Sequence, residues 1–471
     1  MPLLFLAIPL AAVVVLNIVY YWIKGRHAVW CAAVVAATQT LLAGYALIEC
    51  LKTGAAFSDT RIGLLEIDSL TAMVLCTVGL IGFVSLLITN SAILKQQHNF
   101  ANLTLILMAG MNGVTLVRDL FTLYVFIEIT SAASFILIGF RRDRNELEGA
   151  FKYYIQSTVA TIAMLTATAF LFLFVGDTTF ANAASAINEA VQTGSFPYGI
   201  VITLILYTVG FTIKSGAVPF HAWVPDAYSA SPAPVSVLLS GIVTKASGVY
   251  VLMRIFRDIF LSHASVGSLL TVLGLVSILV GAFAAIGQNK MKRMLAFSSV
   301  SQIGYILLGL GTGSALGFFG AMLHFFNHAS FKSLLFLNAA AVEQQTGLSN
   351  MDEMGGLSEK MPVTGWSSVV AYLSTAGIPP LAGFWSKLFI IVAVWRISPV
   401  MAVIALLAGV ITLAYLLLIQ KKVFFGKVPE ALAHVKEAGA GFVGAELVLV
   451  AVNVVIGAAL PFLLGYFKNL L

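Results

Sequence analysis

The sequence predicts an all-α polytopic membrane protein. Three observations lead there: the composition, the recurrence of apolar runs of membrane length, and ionisable residues stranded inside those runs. Hydrophobic residues make up 60% of the chain and charged residues 10%, against about 25% charged in soluble domains. No soluble fold hides that much apolar surface. The net charge of +6 comes without a basic tail or a basic patch interleaved with aromatics, so it reads as a topology signal and speaks against a nucleic-acid partner. Cys31, Cys50 and Cys76 show no CxxC spacing, lie in or beside apolar runs, and are expected to be buried small residues. The first run has no clear charged n-region or small-residue cleavage site, so it is expected to be a retained span.

A span needs about 20 apolar residues. By that measure fourteen runs qualify, near 3–23, 28–50, 69–89, 101–117, 120–140, 153–176, 198–218, 235–256, 264–286, 295–313, 315–341, 362–391, 398–420 and 440–467. Most connections are short, and the longest polar one, about 343–361, is expected to be a loop on one face. Loops after odd-numbered spans carry fifteen of the 26 lysines and arginines, and those after even-numbered spans, with the ends, carry seven. The odd loops are therefore expected in the cytoplasm, with both termini outside the cell's inner (cytoplasmic) membrane. The remaining four, Lys214, Lys245, Lys332 and Lys387, lie inside spans.

An internal echo accompanies this pattern. SGAVPF (215–220) aligns without gaps with TAGIPP (375–380), and KYYIQST (152–158) with HFFNHAS (324–330). Proline-interrupted helices at corresponding positions point to a transport site near the membrane midplane.

The stranded charges are the functional candidates, because an ionisable side chain at membrane depth costs roughly 2.5–3.5 kcal/mol on insertion scales and persists for a reason. Glu128, in the middle of the fifth span, is either a carboxyl held neutral by one hydrogen bond or the partner of an intramembrane lysine. Lys214 comes five residues before Pro219, which frees a backbone carbonyl and breaks the helix beside it. Such a break is tolerated only where it is buried in protein or lines a wet cavity. Lys245 lies about ten residues inside the eighth span, and its small neighbours Gly241, Ala246, Ser247 and Gly248 permit close helix approach. His324, His328 and Lys332 recur at i, i+4, i+8 along one helix face. The two histidines have metal-ligand spacing, but HFFNH lacks the glutamate of HExxH and offers no third ligand. A structural polar seam and a proton pathway are the other readings. Lys387 follows Pro379 by eight residues. His221 and Asp226, near the first break, are expected to cap helix ends or shape a cavity mouth. Glu49, Glu343 and Glu446 are expected at span ends or the surface. No nucleophile–base constellation, phosphate loop or haem-type histidine pairing accompanies these residues, and no cofactor is expected.

The run SGAVPFHAWVPDAYSASPAPVSVLLSGIVTKASGVYVLMR strongly resembles the antiporter-like subunits shared by respiratory complex I, Mrp-type cation/proton antiporters and membrane-bound hydrogenases. KRMLAFSSVSQIGY (292–305), HFFNHASFKSLLFL (324–337) and GIPPLAGFWSKL (377–388) extend the likeness over much of residues 100–390. The resemblance implies fourteen helices, with two inverted five-helix repeats that each contain a broken helix. On that pattern residues 1–100 hold helices 1–3, 101–260 the first repeat, 261–425 the second and 426–471 the last helix. It implies that Glu128 pairs with Lys214, that Lys245 links two half-channels, that His324, His328 and Lys332 lie on a central polar axis, and that Lys387 is the exit lysine. Lysine at that last position resembles the Mrp D-type or complex I N-type pattern, while AYSASPAPVS resembles the D-type or hydrogenase-type branch. The expected function is proton translocation in a multi-subunit complex, with redox chemistry in partner subunits of the hydrogenase-like or quinone-reducing iron–sulfur kind. The alternative is a D-type component of an Mrp sodium/proton antiporter with no redox partner. Proton and possible Na+ passage, lipid contact and neighbouring membrane subunits are the interactions this implies.

Overall fold

A computed structural model describes residues 1–23, 25–59, 64–93, 95–193, 198–260 and 264–463. Lys24, Arg61 and Lys468, which enter the orientation count, and the end of the expected last span lie outside the described residues. The chain is a bundle of helices: α1 (Leu4–Ile18), α2 (Gly25–Thr53), α3 (Ser69–Ala92), α4 (Gln97–Leu116), α5 (Leu120–Ile138), α6 (Arg144–Val175), α7 (Phe180–Gln192), α8 (Tyr198–Ser215) and α9 (Trp223–Ala230). Then follow α10 (Ala233–Ile259), α11 (Ala264–Ile286), α12 (Met291–Gly311), α13 (Ala315–Thr346), α14 (Pro362–Ala376), α15 (Ala382–Trp395), α16 (Pro399–Phe424) and α17 (Ala440–Leu463). A membrane span must satisfy its own backbone, which is why these apolar runs are helices.

Local chemistry sets the ends. Asp68 accepts from Thr71 N at 2.8 Å to open α3, and Asp119 accepts from Thr122 N at 2.7 Å to open α5. Pro362 and Pro399 occupy the first turn of α14 and α16, where no intrahelical partner for N–H is lost. Gly176 and Gly347, both at positive φ, end α6 and α13.

Among the described residues, ten helices are long and apolar enough to cross a membrane. The other four expected spans are α1, α4, α13 and the divided pair α14–α15. α1 and the divided pair fall short in length. α4 and α13 are long enough but too polar, and nearly all their residues are buried by neighbouring helices. A helix enclosed by protein need not be uniformly apolar. α2, α6, α11 and α16 instead turn exposed Val, Leu, Ile and aromatic side chains outward, as a lipid-facing layer requires.

The two proline regions share one device. α8 ends with Ala217 N donating to Thr212 O, and α14 with Ile378 N donating to Leu373 O. Gly216 (φ +70) and Gly377 (φ +86) supply the left-handed residue that this Schellman ending demands. The glycines match one position off the gapless SGAVPF/TAGIPP alignment, so the echo is real in geometry but shifted by a residue. The expected single span 362–391 is thereby divided, with α15 restarting at Ala382. Both breaks also carry a cis X-Pro bond, Val218–Pro219 and Pro379–Pro380.

Several details depart from expectation. α7 is a helix between spans that has no apolar run of its own, and Phe57–Ser58 pairs with Glu66–Ile67 in a two-residue antiparallel ladder. Cys31 is exposed, not buried: it sits on the outward face of α2 beside Trp30 and Val34. Glu446 is fully buried and not at the surface, because α17 carries it against α13 and α14.

Candidate functional site

Among the buried basic side chains of the described residues, Lys214, Lys245, His324, His328, Lys332 and Lys387 form a row through the bundle, none more than 5% exposed. Lys214, at the end of α8, donates to Ser131 Oγ on α5 and to Ser157 Oγ on α6, both at 2.5 Å. Glu128 precedes Ser131 by three residues on α5, and so lies one helical turn from the ammonium on the same face. The expected contact ion pair is not formed: among the described residues Glu128 has no cation within 4.0 Å. The serines, one turn nearer, occupy the lysine instead.

α10 connects this end of the row to the rest. A Cβ on Gly248 would meet Ser215 N at 2.5 Å, and one on Gly241 would collide with Ser333 Oγ. α10 therefore abuts the Lys214 terminus of α8 at one glycine and α13, next to Lys332, at the other. Lys245 lies between them, and its Nζ donates to Ser240 O. The helix is π-wound over Leu239–Val243 and Lys245–Tyr250, a winding often found where a site needs one residue displaced.

Beyond α10, Lys332 donates to Ser298 Oγ at 2.5 Å and to Leu295 O at 3.3 Å on α12, and Ser298 meets Tyr415 OH at 2.6 Å. One and two turns back, His328 and His324 stack with ring centroids 6.1 Å apart. His324 Nδ1 lies 2.9 Å from Ser386 Oγ on α15. Tyr305 lies between the last two members, 5.9 Å from the His324 ring and 4.7 Å from Lys387 Nζ. Lys387 Nζ reaches back across the second break and donates to Thr375 O at 2.7 Å, at the end of α14. Among the described residues no three His, Cys, Asp or Glu converge as a metal-ligand set.

Every lysine in the row has a neutral partner. Serine hydroxyls accept from an ammonium and can turn to donate to an amine, so Lys214 and Lys332 can be hydrogen-bonded in either protonation state. A carboxylate partner would have fixed one state. Ser131, Ser157, Ser298, Tyr305, Tyr415 and Ser386 were not singled out from sequence. Only the three-residue spacing of Ser131 from Glu128 could have flagged one of them.

A cleft beside the first break is ionic. Asp226, on α9 just after the first break, accepts from Lys152 at 2.7 Å and Arg293 at 2.6 Å, tying α6 to α12. Burial works against its charge, but the two cations outweigh it and hold the carboxyl below its ordinary value. Asp226, Arg293, Lys292, Glu343, Arg141 and Glu146 line an open cleft of about 930 Å³. His221 faces Phe297 at 6.3 Å and forms no hydrogen bond or ion pair with Asp226 among the described residues. Of the expected cavity-shaping residues, Asp226 thus carries the mouth, while Pro219 and Pro379 mark the two breaks.

Comparison with known proteins places the chain in a family. The family described as NADH:quinone oxidoreductase/Mrp antiporter, TM, matches residues 117–412, which contain every member of the row. NADH-quinone oxidoreductase subunit N of Desulforudis audaxviator is 36% identical over 67% of this chain and 64% of its own length. The D-type subunit of the Na(+)/H(+) antiporter of Alkalihalophilus pseudofirmus is 31% identical over 83% of this chain and 79% of its own. A chain of the Mrp complex from Dietzia sp. DQ12-45-1b has the same fold, with a TM-score of 0.90 and 24% identity over 99% of this chain and 95% of that one. The match thus spans less than two thirds of the oxidoreductase relative but most of the antiporter relative. The chain is a multi-pass membrane protein and belongs to the NADH:quinone oxidoreductase/Mrp antiporter transmembrane family.

Proposed function

We propose that the chain is a proton-translocating, antiporter-like subunit of a multi-subunit membrane complex, driven by redox chemistry in partners of the hydrogenase-like or quinone-reducing iron–sulfur kind. One observation carries the reading: a row of buried basic groups, whose lysines are paired with neutral hydroxyls and carbonyls, runs from one helix break to the other. Glu128 acts on Lys214 from one turn away. The proton passes to Lys245, then along Lys332, His328 and His324, and leaves by Lys387. Residues 101–260 and 261–425 form the two half-channels, and 1–100 and 426–471 flank them. Both termini face outward, which puts the Asp226 cleft on the cytoplasmic side. Replacing Lys214 with alanine in the reconstituted complex abolishes coupled proton movement; unchanged pumping sinks the assignment.

The likeness to the D-type antiporter relative runs over more of the chain than the likeness to the oxidoreductase relative. It supports a second reading: sodium/proton exchange without a redox partner. Transport in vesicles that depends on sodium selects it. Copurification of iron–sulfur or nickel subunits selects the first.

A further inference from the structure

The row does not account for the buried acid Glu446. This residue is 0% exposed on α17, and among the described residues it has no cation within 4.0 Å. Its Oε1 accepts from Asn338 Nδ2 of α13 at 3.0 Å, and its Oε2 lies 3.3 Å from Thr364 Oγ1 of α14. The same Thr364 Oγ1 lies 2.8 Å from Oε1 of a second acid, the part-exposed Glu437. A threonine hydroxyl has one proton to give. It goes to Glu437, the nearer acceptor, whose carboxyl also takes Val363 N at 2.7 Å and Ala438 N at 3.0 Å. Glu446 Oε2 then faces the hydroxyl's lone pairs, a contact that is favourable only if Glu446 itself carries a proton. The cost of burying a carboxylate without a cation argues the same way. Asn338 Oδ1, also buried, meets no donor among the described residues.

The surroundings continue toward the second break. Asn453 follows Glu446 by two helical turns on the same face of α17. Its Nδ2 donates to Ser330 Oγ of α13 at 2.7 Å, and its Oδ1 accepts from Ser374 Oγ of α14 at 2.9 Å. Ser374 Oγ in turn accepts from Gly383 N at 3.3 Å, four residues before Lys387. Two polar groups between α13, α14 and α17, one at Glu446 and one two turns on at Asn453, thus lie in the direction of the second break, and neither hydrogen-bonds Lys214 or Lys245.

We propose that Glu446 is a second proton-loading carboxyl, exchanging its proton with Glu437 through the Thr364 hydroxyl and supplying the Lys387 end of the row by its own route. As Glu446 hands its proton to Thr364 Oγ1, the hydroxyl's original proton moves to Glu437 Oε1. One O–H bond breaks and one forms at each step, nothing is oxidised, and the reverse passage loads Glu446 from the surface. The inference rests on the proton-translocating reading above, and its test separates the two.

The purified complex is reconstituted in proteoliposomes with Glu446→Gln, Thr364→Val, Thr364→Ser and Lys214→Ala. Glutamine preserves the shape and both hydrogen-bond contacts of Glu446 but cannot shuttle a proton. The expected result for Glu446→Gln is an assembled complex with proton transport reduced on the order of a hundredfold, and loss of the protonated-carboxyl C=O stretch from its infrared spectrum. Thr364→Ser keeps wild-type transport and Thr364→Val does not, a contrast that isolates the hydroxyl from packing. If Glu446→Gln transports at the wild-type rate while Lys214→Ala is dead, the second route is wrong and the central row stands. An infrared band unchanged in Glu446→Gln overturns the proton assignment. Transport that survives Lys214→Ala removes the underlying reading instead.

Discussion

Gly248→Ala tests whether the contact between α10 and the end of α8 sets the geometry of the row. The added Cβ would stand 2.5 Å from Ser215 N and 2.8 Å from both Lys214 C and Ser215 Cα, where ordinary contact begins at 3.4 Å. All three atoms are backbone, so no side chain can swing aside, and the helices must part by about 1 Å at a cost of roughly 1–3 kcal/mol. The displacement falls on Lys214 itself, whose bonds to Ser131 and Ser157 are both 2.5 Å. A misplacement of that size can lower a rate on the order of a hundredfold. Thermal unfolding of the solubilised complex and proton transport in vesicles read the two effects separately. Gly199→Ala on α8 is the control, because a Cβ there meets nothing within 4 Å and alanine favours a helix by up to about 1 kcal/mol over glycine. Gly248→Ala is expected to be the less stable and the slower of the two. Equal stability and equal transport would refute the claim that this glycine fixes the lysine's position.

Asp68→Asn tests the ionic cluster at the other end of α10, where Arg254, 4% exposed, is paired with Asp68. Burial opposes the Asp68 charge, but Arg254, with help from Arg118 and Thr71 N–H, holds its carboxyl well below the usual range. A depressed carboxylate stabilises the fold above its unfolded value near 3.8 and loses that contribution as pH falls through the folded value. The variant should lose roughly 3 kcal/mol at neutral pH, the low end for breaking a buried pair because Asp68 is part-exposed. The gap between the melting curves of the two proteins should begin to narrow only below about pH 4 and close as pH falls through the folded value of Asp68; a gap that does not narrow in acid would contradict the ion-pair origin. Ser131→Ala combined with Ser157→Ala leaves Lys214 without its hydroxyl partners, and proton transport should fall while the complex still assembles; full transport would show that the serines do not hold the lysine. Lys245→Met, which keeps length and burial, should stop transport with assembly intact, whereas a purely structural bundle predicts no change.

The breaks and the buried lysines were legible in the sequence because proline and lysine are costly at membrane depth wherever they occur. The Schellman endings were half legible: glycine and proline announced them, but the one-residue shift depends on which amide reaches which carbonyl, and no alignment shows that. Glu446 was misread for a physical reason. Seven residues into a helix, a carboxylate looks like an interfacial residue until the helices that cover it are known, and here Asn338 and Thr364 come from spans more than eighty positions away. The serine partners were invisible for the opposite reason, since a serine in a membrane helix costs little and is common.

That invisibility bears on mechanism. If Lys214 were locked against Glu128, the proton would be held in place by a charge pair and the lysine would be a poor carrier. The two serines leave the lysine held in place but its proton unheld, because each hydroxyl can accept from an ammonium or donate to an amine without moving a helix. The carboxylate one turn away can then bias the lysine electrostatically without binding it. Lys332 repeats the arrangement with Ser298, which Tyr415 OH contacts in turn, and Lys387 does so with backbone carbonyls, to which an amine N–H still donates, though more weakly than an ammonium. On this argument the determinant of proton mobility is the neutrality of the partners, so substituting Ser131 with aspartate should be worse for transport than substituting it with alanine. Measured in the same vesicles, the reverse order would show that the lysine needs a charge partner after all.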